Sequence, residues 1–119
     1  MDVNLVVLAG RLAVDPEHRV FESGSHVLRL LVTVRSDEPR RRVDVVPVTV
    51  WDPQPYLASG SLHAGGRVWV TGTVQRRFWE SAEGRRSRLE IVAHHVQCGH
   101  SAFQQGVRVG RRSQLGLPA

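Results

Sequence analysis

Through most of its first hundred positions the chain alternates apolar and polar residues, and clusters of glycine and proline cut that alternation into short segments. A period of two belongs to the β-strand, whose successive side chains face opposite sides, so the pattern predicts an all-β domain with little helix. The first strand reads Asn4 to Leu12, closed by Asp15-Pro16, and the chain returns as His18 to Glu22 before a turn at Ser23-Gly24. From Val27 to Arg35, residues Leu28, Leu30, Val32 and Val34 share one face, which is the core face; Arg29, Leu31, Thr33 and Arg35 share the other. After the charged loop Asp37 to Arg42, the run Val43 to Trp51 places Val46, Val48 and Val50 inward and Val45, Thr49 and Trp51 outward. In Arg67 to Trp79 the inward set is Val68, Val70, Gly72 and Val74, leaving Trp69, Gln75, Arg77 and Trp79 outward; Phe78 has inward parity and is expected in the core. A hairpin tip at Ser81 to Gly84 leads to a last strand, Ser87 to Cys98. Between the Trp51 and Arg67 strands, Asp52-Pro53-Gln54-Pro55 can cap and open one short helix through about Leu62, with Gly65-Gly66 ending the connection.

At 119 residues the chain holds one domain's worth of core. Five strands with one short helix between the third and fourth match the five-stranded Greek-key barrel called the OB-fold, with an all-β sandwich as the rival. The domain is placed at 1–100. Beyond it the composition turns to Gln, Gly, Ser and Arg, which predicts a mobile basic tail over 101–119.

The charge pattern narrows the partners. Sixteen arginines, no lysine and a net charge of +5 give a surface whose every fixed cation is a planar guanidinium, suited to a polyanion; the codon bias of a GC-rich genome would also produce it. Neither a positively charged leader nor an apolar run of spanning length opens the chain, so a cytoplasmic, nucleoid-associated protein without membrane contact is expected. The single Cys98 has no intramolecular disulfide partner. His94, His95, Cys98 and His100 suggest a zinc site, but on an extended strand His94 and His95 face opposite sides, and no metal or other cofactor is expected. With no phosphate-cradling glycine loop, no nucleophile elbow and no convergent carboxylates, the chain does not read as an enzyme.

The ordered residues Asn4, Val6, Leu8, Gly10-Arg11-Leu12, Asp15-Pro16-Glu17, Val45-Val46-Pro47-Val48-Thr49-Val50-Trp51, Val68-Trp69-Val70-Thr71-Gly72, Trp79, Gly84 and Glu90-Ile91-Val92-Ala93 resemble the bacterial single-stranded DNA-binding protein family over roughly residues 4 to 100. The resemblance implies non-sequence-specific coating of single-stranded DNA in replication, recombination or repair, with single-stranded RNA the lesser ligand, by base stacking on aromatics in a cationic groove. It places Trp51 and Trp79 at base-stacking positions. Arg11, Arg35, Arg76, Arg77, Arg86 and Arg88 are the candidate phosphate contacts around them. Val45 stands where the family carries another aromatic, which implies weaker or redistributed stacking. A homotetramer or homodimer is implied, and the outward apolar row Leu5, Val7, Ala9, with Trp69 at a family tyrosine position, is the candidate interface. Where enzyme-recruiting members end in an acidic tip, this chain ends Gly116-Leu117-Pro118-Ala119, so a short paralogue without tail-mediated recruitment is expected. The rivals are a primosome-type replication adaptor and an OB-type protein-interaction or oligosaccharide-binding module.

Overall fold

A computed structural model describes residues 1–58 and 60–98. Its elements are β1 (Val6–Leu12), β2 (Glu17–Val20), β3 (His26–Ser36), β4 (Arg42–Trp51), a helical turn α1 (Pro55–Ala58), β5 (Arg67–Ser81) and β6 (Gly84–Cys98). The strands form one sheet in the order β1-β5-β6-β4-β3-β2, and β1 also pairs with β3. That extra pairing closes β1, β5, β6, β4 and β3 into a five-stranded barrel with the OB-fold arrangement, leaving β2 as a sixth, short edge strand. All pairings are antiparallel except β4 with β6.

The core follows the period-two reading. Leu28, Leu30 and Val32 from β3, Val48 and Val50 from β4, and Val68 and Val70 from β5 are buried in one cluster with Leu12, Ile91 and Val96. Each such side chain contributes about 1.5–3 kcal/mol on full burial, which is what fixes the strand registers against slippage. Two glycines permit the closure. A Cβ on Gly10 would lie 2.2 Å from the Thr33 carbonyl oxygen, where β1 meets β3, and one on Gly72 would lie 2.1 Å from the Val92 carbonyl oxygen. Beside Gly72 the β5–β6 register shifts, from Thr71 opposite His95 to Gly72 opposite Ala93, so His94 is an extra residue on β6. The bulge moves the inward set of β6 from Ile91 to Val96, an odd-to-even change visible in the sequence as a break in the alternation.

Three expectations need correction. The connection after β4 holds a four-residue helical turn instead of a helix through about Leu62; Leu57 and Leu62 still reach the core from it. Strand β1 starts at Val6, because Asn4 uses its side chain instead of its backbone: its Nδ2 donates to the Val74 carbonyl (2.8 Å) and its Oδ1 accepts from the Val74 N–H (2.9 Å). Phe78 is 52% exposed. Beyond Val74, β5 has no β1 partner and β6 before Ile91 has no β4 partner, so the β5–β6 hairpin runs out past the barrel and inward parity there faces solvent. The guanidinium of Arg85 lies 4.7 Å from the Phe78 ring centroid and covers part of it. The tail assigned to 101–119 lies outside the described residues.

Candidate nucleic-acid interface

Register alone assembles one continuous outer face across β3, β4, β6 and β5. Arg29 is opposite Thr49, Gln75 opposite Glu90, Arg77 opposite Arg88, and Trp79 opposite Arg86. At its centre Glu90 is buried and accepts a hydrogen bond from Thr49 Oγ1 (3.2 Å), with Arg77 Nη1 3.9 Å from the same oxygen. A buried carboxylate needs such partners, and here it anchors cations to the sheet. Burial lowers the Arg29 guanidinium from its ordinary value, repulsion from Arg77, Arg88 and Arg19 adds to the shift, and Glu90 opposes it. A crowded cationic surface with one central carboxylate therefore covers the middle of the face.

The two candidate tryptophans stand at opposite ends of this surface. Trp51, 47% exposed, ends β4 where Asp52 adopts a left-handed φ of 46°. That turn is tied to β3 twice: the Asp52 N–H donates to the His26 carbonyl (2.8 Å) and Asp52 Oδ1 accepts from the His26 N–H (3.0 Å). Phe21 stacks on Trp51 with centroids 5.8 Å apart and an interplanar angle of 28°, so a base has one indole face to use. Strand β2, which leads into Phe21, is braced against β3 by the His18 Nε2···His26 Nδ1 contact of 3.1 Å. At the other end Trp79, 42% exposed, rides on the projecting hairpin, with the Arg88 guanidinium 5.9 Å from its ring centroid. From the paired positions Thr49, Val92 and Thr73, Trp51 is two residues one way and Trp79 six the other. At about 3.3 Å per residue the two rings are separated by roughly 26 Å along the strands, room for several nucleotides.

Of the arginines singled out, Arg77, Arg86 and Arg88 converge with Trp79 on this face. Arg86 also pairs with Glu83 at the hairpin tip. Arg35 shares the outer parity but lies near the far end of β3, opposite Val43. Arg11 sits where the barrel closes, opposite Thr33, and its Nη1 donates to the Gly65 carbonyl (2.9 Å). Arg76 projects from the reverse side of the hairpin and donates to Ser87 Oγ (3.1 Å), so the structure does not bring it to the others. Sequence reasoning passed over Phe21 and Arg29. The outward parity of Arg29 between Leu28 and Leu30 was the signal for the second; nothing local marked the first.

Leu5, Val7, Ala9 and Trp69 gather on a separate outer face. Val7 is opposite Thr71 and Ala9 opposite Trp69 on β5, and Trp69 is opposite Gln97 on β6. Leu5 and Val7 are 68% and 53% exposed. Because β1 pairs with β3 only at Arg11 and Leu12, its edge from Val6 to Ala9 has no second strand among the described residues.

Among the described residues no three His, Cys, Asp or Glu side chains gather as a metal site, and no helix is long and apolar enough to cross a membrane. The chain is similar to single-stranded DNA-binding protein 3 of Clostridium acetobutylicum, with 34% identity over 80% of this chain and 69% of that protein. It is 32% identical to the single-stranded DNA-binding protein of Clostridium tetani over the same shares, and 33% identical to that of Treponema pallidum over 81% of this chain and 57% of that one. The single-strand binding protein family model matches residues 3–98, from ahead of β1 to the last residue of β6. Barrel, face and match span the same residues, and the chain belongs to the single-strand binding protein family.

Proposed function

We propose that this protein binds and coats single-stranded DNA without sequence preference, as a non-catalytic component of replication, recombination or repair. The observation that carries the reading is the continuous face on which two half-exposed tryptophans flank Arg77, Arg88 and Arg29. Unpaired bases present π-faces to Trp51 and Trp79, and the linking phosphates meet guanidinium groups, a combination indifferent to base identity. A duplex hides those π-faces. Gel shift and tryptophan quenching with an oligo-dT strand and a duplex of equal length test this: the strand binds well above the duplex, and equal affinity for both would reduce the reading to basic adhesion.

Assembly uses the other face. The apolar row Leu5, Val7 and Ala9, beside Trp69 and the open edge of β1, suits the same strand of a second copy, which would cover the side chains and pair the edge. A dimer formed this way, or a tetramer built from two, leaves the tryptophan and arginine face free to carry DNA.

A further inference from the structure

We propose that Arg29, together with Arg88 across a cleft, forms a fixed binding site for one phosphodiester of the bound strand, the apolar floor beside it receiving the attached nucleoside. This rests on the single-stranded DNA reading and assigns to it a residue outside the two tryptophan positions.

The cleft has a volume of about 370 Å³, and its lining includes Arg29, Arg88, Leu31 and Val45 together with the carboxylates Asp15 and Glu17. That is near the lower end of the size of clefts that hold small ligands. The Arg29 Nε is buried and, among the described residues, donates to no acceptor, a state that leaves a strong donor desolvated. Its neighbours are mostly cationic: Arg77, Arg88 and Arg19 repel its charge, while Glu90 attracts it and Glu17 stands opposite it on β2. Both lining carboxylates are engaged: Asp15 Oδ1 accepts from the Ala64 N–H (2.8 Å), and Glu17 lies 3.6 Å from Arg19. Glu90 is shared with Thr49 and Arg77. A phosphate in the cleft cancels the repulsion between the Arg29 and Arg88 guanidinium charges, which a neutral ligand cannot do, and the buried Arg29 Nε–H senses that change without touching the ligand. Leu31 and Val45, both exposed, lie next to it on the same face and offer apolar contact to a sugar or base where no aromatic side chain stands. A free inorganic phosphate has no use for that floor.

Two measurements decide the matter. In the wild-type protein labelled with ¹⁵N-arginine, the Arg29 Nε–Hε resonance moves on addition of oligo-dT and stays put with inorganic phosphate at matched ionic strength; the reverse pattern overturns the proposal. In Arg29→Gln, the slope of log affinity against log salt for oligo-dT shrinks by about 0.7, the value for one phosphate on a single strand. Arg29→Lys, which keeps the charge, keeps the slope. A folded Arg29→Gln protein with the wild-type slope and affinity sinks the site while leaving DNA binding intact, and a wild-type protein that fails to bind oligo-dT sinks the functional reading first.

Discussion

Trp69 and Trp79 lie on one strand, ten residues apart and with the same outward parity, yet they belong to surfaces of opposite chemistry. Trp69 is in the part of β5 that pairs with β1, among Val7, Ala9 and Thr71. Trp79 is in the part that has left β1 behind, among Arg77, Arg86 and Arg88. The strand coils around the barrel between them, keeping β6 as its partner throughout but leaving β1 just past the bulge beside Gly72 and the barrel beyond Val74. Parity decides only inside or outside; how far a strand has travelled around the barrel decides which outside.

The sharpest way to break the division of labour is to charge the apolar face. Leu5→Asp with Val7→Asp removes two apolar side chains per protomer from the proposed interface and places carboxylates there, so the subunit dissociation constant should rise on the order of 100-fold or more. Sedimentation of the double variant checks it, and a species of unchanged mass would show that assembly uses another surface. The protomers should still quench with oligo-dT.

A smaller effect separates the tryptophans themselves. Trp79→Ala should weaken oligo-dT binding by the equivalent of ~1–3 kcal/mol, roughly 5- to 150-fold, with the oligomer unchanged. Trp69→Ala should first alter the oligomer or its melting temperature and reach DNA only through that. Loss of DNA binding by Trp69→Ala in a wild-type oligomer would exchange the two faces. Trp51→Ala should cost less than Trp79→Ala, because Phe21 already occupies one side of its ring; titration at matched salt ranks the two.

The finest distinction lies between adjacent arginines. Arg77→Gln removes a cation from the proposed DNA face and should reduce the salt slope by about 0.7, whereas Arg76→Gln, on the reverse side of the hairpin, should change it by less than half of that. Equal slopes for the two variants would mean that the strand wraps both sides of the hairpin.

Much of this was legible in the alternation of residues. The inward sets of β3, β4 and the first part of β5 follow parity because both ends of those strands are held in the barrel, where one face must be apolar. Phe78 escaped the same reading because the hairpin that bears it has no sheet behind it, a tertiary fact that no local pattern encodes, whereas Arg76 shares its parity and lies on the reverse side that the alternation gives it. The helix after Trp51 shrank to a turn because its capping residues mark where a helix begins but not whether it continues. Arg29 could be placed outward from its neighbours, but that it sits crowded, with its Nε unpartnered among the described residues, required the strands on either side of it.

The projecting half of the β5–β6 hairpin can also be viewed as an adjustable arm. Because Gln75 to Ser81 and Gly84 to Glu90 pair only with each other, adding or removing residues there leaves every barrel register untouched. The step size is set by the pleat: a change of one residue per arm would turn Trp79 to the back, whereas two per arm restores its side and alters the reach by about 7 Å. That is close to the extent of a single extended nucleotide, so on the proposed path the length of strand spanned between the two tryptophans can change in whole nucleotides while the fold that holds them stays the same.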